Sequence, residues 1–187
     1  MVKTEFKKKK RRWVSIVAPS LFKYEELGET LVSEVSSLVG RNVPINLADL
    51  TKSLKQQNIE IIFKIDSIKE DKANTTILSY RLLPSYLKRI TRRIGSKIEE
   101  SFECKTKDGI KIRIKPLLII KTKLKSSLSK SLRKTTKIIL SEMVTQSTFD
   151  ELILSFIAFK LQKEIKFKLK SIYPVASCEI KVMQKVQ

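Results

Sequence analysis

The sequence predicts an α+β fold, an antiparallel β-barrel-like core with a short basic helix and two C-terminal amphipathic helices packed outside it. Three observations lead there. Short segments of alternating apolar and polar residues recur between positions 13 and 119, the apolar spacing turns helical beyond position 126, and the regular strand-helix-strand alternation of a doubly wound fold is missing. Residues 13–187 are expected to form a single domain behind a disordered basic arm at 1–12.

Positions 7–12 read KKKKRR, a like-charge run with nothing to bury, so it should stay disordered until phosphates order it. WVSIV, from Trp13, and GRNVPINL, with Gly40 and Pro44, read as the first two strands. Positions 19–34 mix apolar and acidic residues around Gly28 without a clean period and read as an irregular connection. Ile59, Ile61, Phe63 and Ile65 then alternate with Glu60, Lys64 and Asp66, which marks a strand with one buried face. A break at 69–74 followed by TTILSYRLL makes this a hairpin.

Leu83, Leu87, Ile90 and Ile94 recur at helical spacing, with Pro84 suited to the first turn and Gly95 to the C-terminal cap. Lys88, Arg89, Arg92 and Arg93 cover much of the rest of that short helix. Positions 98–106 and 110–119 flank Asp108-Gly109, a strong hairpin signal, and Ile110, Ile112 and Ile114 alternate with Lys111, Arg113 and Lys115. Leu128, Leu132, Ile139 and Met143 follow a helical period, with Lys130, Arg133, Lys134 and Lys137 on other faces. Thr148 and Glu151 match a capping box before a single stripe of Phe149, Ile153, Phe156, Ile157, Leu161 and Ile165, expected to face the core. Pro174 stops that helix, and Cys178, Ile180 and Val182 alternate with Glu179 and Lys181 as a closing strand. Trp13 is expected to anchor the first strand rather than to stack on a base.

Composition narrows the chemistry. The 187 residues carry 39 Lys and Arg against 19 Asp and Glu, a formal net charge of +20, and no histidine. Without an imidazole, histidine-dependent triads, His-ligated metals and imidazole proton shuttles are excluded. Cys104 and Cys178 are far apart in sequence, unlike paired metal ligands, and read as two buried thiols of a reducing compartment. The four glycines, Gly28, Gly40, Gly95 and Gly109, are isolated, so no phosphate-cradling loop is present. Apolar runs such as 117–120 and 153–159 fall far short of the roughly 20 residues that span a bilayer. The apolar stretch after the N-terminal charges is too short for a signal peptide and is interrupted by Ser15 and Pro19. A cytoplasmic protein with no membrane partner, no metal, no cofactor and no catalytic residues is expected.

The basic residues are the informative class. Between Lys105 and Lys137 twelve Lys and Arg face the single acid Asp108, and between Arg81 and Lys97 six stand with no acid. Such acid-free blocks gain free energy by releasing counterions from phosphate. The candidate RNA-binding residues are therefore Lys7, Lys8, Lys9, Lys10, Arg11 and Arg12 of the arm, then Arg89, Arg92, Arg93 and Lys97, and then Lys121, Lys123, Lys125, Lys130, Arg133, Lys134 and Lys137. Aromatics are sparse among them, Tyr86 being the one in its block, which favours backbone and shape recognition of folded RNA over single-strand stacking. Two rivals stand beside this reading. One is a general nucleic-acid-binding protein of the nucleoid or RNA-chaperone kind; the other is a metal-dependent nuclease built on Glu99 and Glu100.

Several segments resemble one family, the archaeal and eukaryotic small-subunit ribosomal protein family called S-three-A-e. RRWVSIVAPSLF carries its basic residue, Trp, strand, Ala-Pro and Phe pattern at Arg12, Trp13, Ala18, Pro19 and Phe22. GET at Gly28 to Thr30, GRNVPINLADL from Gly40, and TRRIGSKIEESFECKTKDGIKIRIKPLLI from Thr91 continue it in order. SLRKTTKIILSEM, TFDELI and IYPVASCEIKVM complete it. At Thr91 to Gly95 the chain departs from the family's longer Arg run. The resemblance implies a β-barrel-like core and a structural, non-enzymatic role, as a monomer within the ribosome. It also implies small-subunit ribosomal RNA as partner, at the platform near the messenger exit, with other platform proteins as neighbours. The length resembles archaeal members, without the C-terminal extension of eukaryotic ones.

Overall fold

The computed structural model describes residues 11–69, 71–92 and 95–186. These divide into two compact units, one reaching to Ile45 and taking in Ile62–Ile77, the other comprising Asn46–Ile61 and the chain from Leu78.

The first unit opens on β1 (Arg12–Val17), where Val14 and Ile16 point into the core and the residues between them point out. β1 pairs antiparallel with β2 (Glu26–Val32), Trp13 opposite Leu31, and the register shifts between Ile16 and Val17 opposite Gly28. β2 lies in the segment expected to be an irregular connection. Its alternation is faint because Val32 alone among its residues is buried and Gly28, at φ 138°, takes a conformation that other residues avoid. β3 (Asn42–Asn46) pairs with β4 (Ile59–Lys69), which pairs with β5 (Lys72–Leu82) in the predicted hairpin; the turn carries Asp71 at φ 60°. Ser15 to Val17 run parallel to Lys72 to Asn74 of β5, so the sheet is mixed rather than purely antiparallel. Val14, Ile16, Val32, Leu38, Ile65 and Ala73 close this unit's core. Trp13 is no anchor: it sits on the outward face of β1, 62% exposed.

In the second unit a short helix α1 (Leu47–Thr51) is capped by the Asn46 side chain, which accepts the Ala48 N–H. Ser79 to Arg81 of β5 pair antiparallel with β9 (Ser177–Lys185), and β9 pairs along Ile112 to Ile119 of β8 (Lys111–Ile120). The other edge of β8 is shared by two short strands, β6 (Ser96–Glu99) beside Leu117 to Ile120 and β7 (Phe102–Lys105) beside Lys111 to Ile114. The first hairpin arm expected at 98–106 is therefore two strands. They part where β8 carries Pro116, which lacks a backbone N–H for the ladder.

The barrel-like closure expected from the sequence is not formed. The hydrogen-bonded order runs β2-β1-β5-β9-β8-β6 as an open path, and the sheet is neither closed nor strongly curled. Closure needs each strand to keep one neighbour on each side and the end strands to meet. Here β5 divides its length between β1 and β9, and β8 divides one edge between β6 and β7, so the sheet branches instead.

Helices cover β6, β7 and β9. α3 (Ser126–Gln146) packs on β6 and β7, and α5 (Lys160–Leu169) packs on β9, α3 and α4 (Phe149–Ile157). Phe149, Ile153, Phe156, Ile157 and Ile165 are buried, as the apolar stripe predicts. The single helix expected for that stripe is broken in two, however, with Phe159 at φ 55° between the halves; buried Gln162 turns its amide back onto the Phe156 carbonyl at 3.1 Å. The capping box at the start of α4 is formed, Thr148 Oγ1 accepting the Glu151 N–H and Glu151 accepting the Thr148 N–H. Cys178 is buried and Cys104 half-buried, both as free thiols.

Candidate nucleic-acid interface

The short basic helix forms as α2 (Pro84–Thr91), with Pro84 in its first turn. It ends sooner than expected: Arg92 is already extended, and Gly95 is no left-handed cap. Gly95 instead allows a close backbone approach, its N–H donating to the Ile120 carbonyl at 3.1 Å. Arg89 lies exposed with its guanidinium 5.2 Å from the centre of the Tyr86 ring, a cation–π contact. Burial raises the pKa of Tyr86, opposed in part by Arg89.

β6 carries the chain from α2 straight against the second basic block. Ser96 pairs with Ile120 and Lys97 with Ile119, and the Ser96 hydroxyl accepts the Leu124 N–H at 3.0 Å. Two blocks separated by more than twenty residues of sequence thus meet through this pairing: Lys97 on β6 stands opposite Ile119, two residues before the exposed Lys121, with the exposed Lys123 and Lys125 following in the loop. The loop runs into α3, whose N-terminus has no side-chain cap and no acid in its first turn. Uncapped N–H groups at a helix start carry partial positive charge, which adds to that of the flanking lysines.

On α3 the exposed Lys130, Arg133, Lys134 and Lys137 recur at spacings of three and four, opposite buried Leu132, Thr136, Ile139, Leu140 and Met143. Arg133 Nε reaches Glu100 at 3.0 Å, and the Lys137 ammonium sits 5.9 Å from the Phe102 ring centre. Lys130 and Lys134 make no ion pair among the described residues and face solvent. Glu99 is taken up by Lys97 at 3.5 Å and Lys181 at 3.7 Å. Both carboxylates of the nuclease reading are thus enclosed by cations, and the described residues contain no cluster of three acidic or cysteine side chains able to hold a metal ion. On β8, Arg113 is not a free cation either, because Glu103 lies opposite it on β7 and forms an ion pair with it.

Arg11 and Arg12 are exposed in the first unit, Arg12 at 3.4 Å from Asp71. Lys7, Lys8, Lys9, Lys10 and Arg93 lie outside the described residues. One group escaped the sequence reading altogether. Lys163, Lys166 and Lys170 of the α5 region lie along one face with Phe167, beside a cleft floored by Pro174 and Val175. The run KLQKEIKFKLK carries that signal, hidden because its apolar positions Ile165 and Leu169 mark the opposite, core-facing side.

A folded core with cations aligned on its outer helices, and with Glu99, Glu100 and Glu103 beside the basic blocks each held by a neighbouring base, is that of a polyanion-binding protein. The model of the Ribosomal S3Ae family matches residues 1–187, and the chain belongs to that family. It is similar to the "Small ribosomal subunit protein eS1" of Methanobrevibacter smithii, 33% identical over 92% of this chain and 89% of that one. The protein of the same name from Haloarcula marismortui is 32% identical over 91% and 80%, and that from Archaeoglobus fulgidus 33% over 93% and 83%. Family membership makes this chain a structural, non-catalytic ribosomal protein that binds ribosomal RNA. Among the described residues no helix is long and apolar enough to cross a membrane.

Proposed function

We propose that this protein is a structural constituent of the small ribosomal subunit in the cytoplasm, binding small-subunit ribosomal RNA at the platform near the messenger exit. The observation that carries the RNA-binding surface is the pairing of β6, which bears Lys97, with the end of β8 that leads into the loop from Lys121 to Lys125, continued by the lysines of α3. These side chains neutralise and position phosphates, and no arrangement for reading base edges accompanies them. The names of the relatives support the small subunit. The platform position and the neighbouring platform proteins rest on the family resemblance of the segments described above. In this reading the chain acts as one copy within the ribosome, as a single domain from Trp13, and its basic arm orders on phosphate.

Sedimentation of native lysate through sucrose gradients at moderate and high salt tests this. The chain should run stoichiometrically with the small-subunit RNA and leave it at high salt or after RNase treatment. Migration with DNA, or as free light protein, would favour the general nucleic-acid-binding reading instead. Crosslinking within purified small subunits checks the position, and crosslinks confined to sites away from the platform would overturn it.

A further inference from the structure

Phe167 is 76% exposed on α5. Lys163 and Lys170, four residues before and three after it, fall along the same helix face, and Lys166 precedes it. With Pro174 and Val175 these residues line a cleft of about 370 Å³. Both walls are pinned. Lys166 Nζ donates to the Ala176 carbonyl at 2.6 Å, tying α5 to the segment before β9, while the Tyr173 hydroxyl and Thr122 Oγ1 share a hydrogen bond of 2.6 Å. The one acid of α5, Glu164, is held by Lys168 at 3.0 Å. An adjoining cleft shares Lys166, Pro174 and Val175 and leads to Lys121 and Thr122, the start of the basic loop.

From this arrangement we propose that the Phe167 cleft takes an unpaired nucleotide of the ribosomal RNA, its base lying on the Phe167 ring and its phosphates on Lys163 and Lys170. The inference rests on the RNA-binding reading above and adds to it a mode of recognition that the basic blocks lack. An apolar ring alone would suit a protein partner as well. What favours RNA is the combination of a flat aromatic face, ammonium groups on either side, and an open path to a lysine-rich loop, because each nucleotide offers a π face and a phosphate together. A base paired within a duplex cannot present its face to Phe167, so the occupant is single-stranded, bulged or in a loop.

The test uses the full chain, with an unstructured oligouridylate and an RNA hairpin of equal phosphate count as probes. Affinities are read by fluorescence anisotropy over a series of salt concentrations. Phe167→Ala should weaken oligouridylate binding by about 5- to 150-fold, the range for loss of one base–aromatic stack. Hairpin affinity, the salt slope and the thermal midpoint should stay as in the unsubstituted chain. Phe167→Trp should retain oligouridylate binding and Phe167→Leu should not. Joint Lys163→Ala and Lys170→Ala should flatten the salt slope for the same probe. Unchanged oligouridylate affinity in Phe167→Ala, an equal loss on both probes, or full rescue by Leu would overturn the proposal, the last pointing to an apolar protein contact. If the unsubstituted chain binds neither probe, the RNA-binding reading falls too; if it binds both and every variant matches it, the cleft proposal alone falls.

Discussion

Gly95 and Thr122 approach so closely that no other residue fits at position 95: an added Cβ would lie 2.6 Å from Thr122 Cα and 2.5 Å from the Lys121 carbonyl oxygen. Those atoms are backbone and cannot rotate away. Gly95→Ala should therefore push β6 and the 121–125 loop apart, at a cost of about 1–3 kcal/mol typical of overpacking. Urea unfolding should show the loss, and RNA affinity at fixed salt should fall with it because β6, with Lys97, and the loop that carries Lys121 separate. A variant with unchanged stability and unchanged affinity would show that the close approach does not organise the surface.

Lys130 and Lys134 are the cleanest probes of phosphate binding, because neither supports the core. Replacing both with Ala should lower the slope of log affinity against log salt by about 0.7–0.9 for each phosphate no longer neutralised. The thermal midpoint should hardly move. Arg133→Ala differs, since it also releases Glu100, and should cost some stability along with affinity.

Glu179 supplies a pH dependence whose sign can be worked out. Burial raises its carboxyl from 4.5 to about 7, and its Oε2 has no hydrogen-bond partner among the described residues. Between those two values the folded chain holds a proton that the unfolded chain has released. The associated stability is fully present below pH 4.5 and is lost as pH rises through 7. Glu179→Gln should flatten the stability profile across that window and be the more stable form at pH 8, measured by denaturant midpoints. A Gln variant that keeps the full slope would assign the dependence to other groups.

Burial also raises the two thiols, Cys104 to about 11 and Cys178 to about 12. Since the thiolate is the reactive form, both should resist an aromatic disulfide reagent at pH 7.5. Half-buried Cys104 should label slowly, and Cys178 only once denaturant opens the sheet. Rapid labelling of two thiols in the native protein would contradict the burial of Cys178.

What the sequence disclosed and what it hid follow from one distinction. Elements with one fully buried face announce themselves: Ile59 to Ile65, Ile112 and Ile114, and Phe149, Ile153, Phe156, Ile157 and Ile165 all lie where their periods place them, while Leu161 of the same stripe is only half-buried. Elements or breaks made by partial burial do not. β2 buries little, and at the α4–α5 break the backbone turns at Phe159, leaving Leu161 half-buried and Gln162 buried. Barrel closure depends on which edges pair over long separations, and alternation within a strand carries no information about that. The basic blocks were legible as composition, yet their meeting depends on the Ser96–Ile120 register. Phe167 stayed hidden because the apolar positions Ile165 and Leu169 beside it mark the opposite, core-facing side of its helix.

The lysines of α3 ride on a helix whose opposite side is locked into the core. A loose lysine tail surrenders its backbone freedom at the moment it meets phosphate; this helix surrendered it when the chain folded. On the reading proposed above, docking of that surface onto RNA therefore needs no folding step in the helix. Its speed would then be set by diffusion and charge steering.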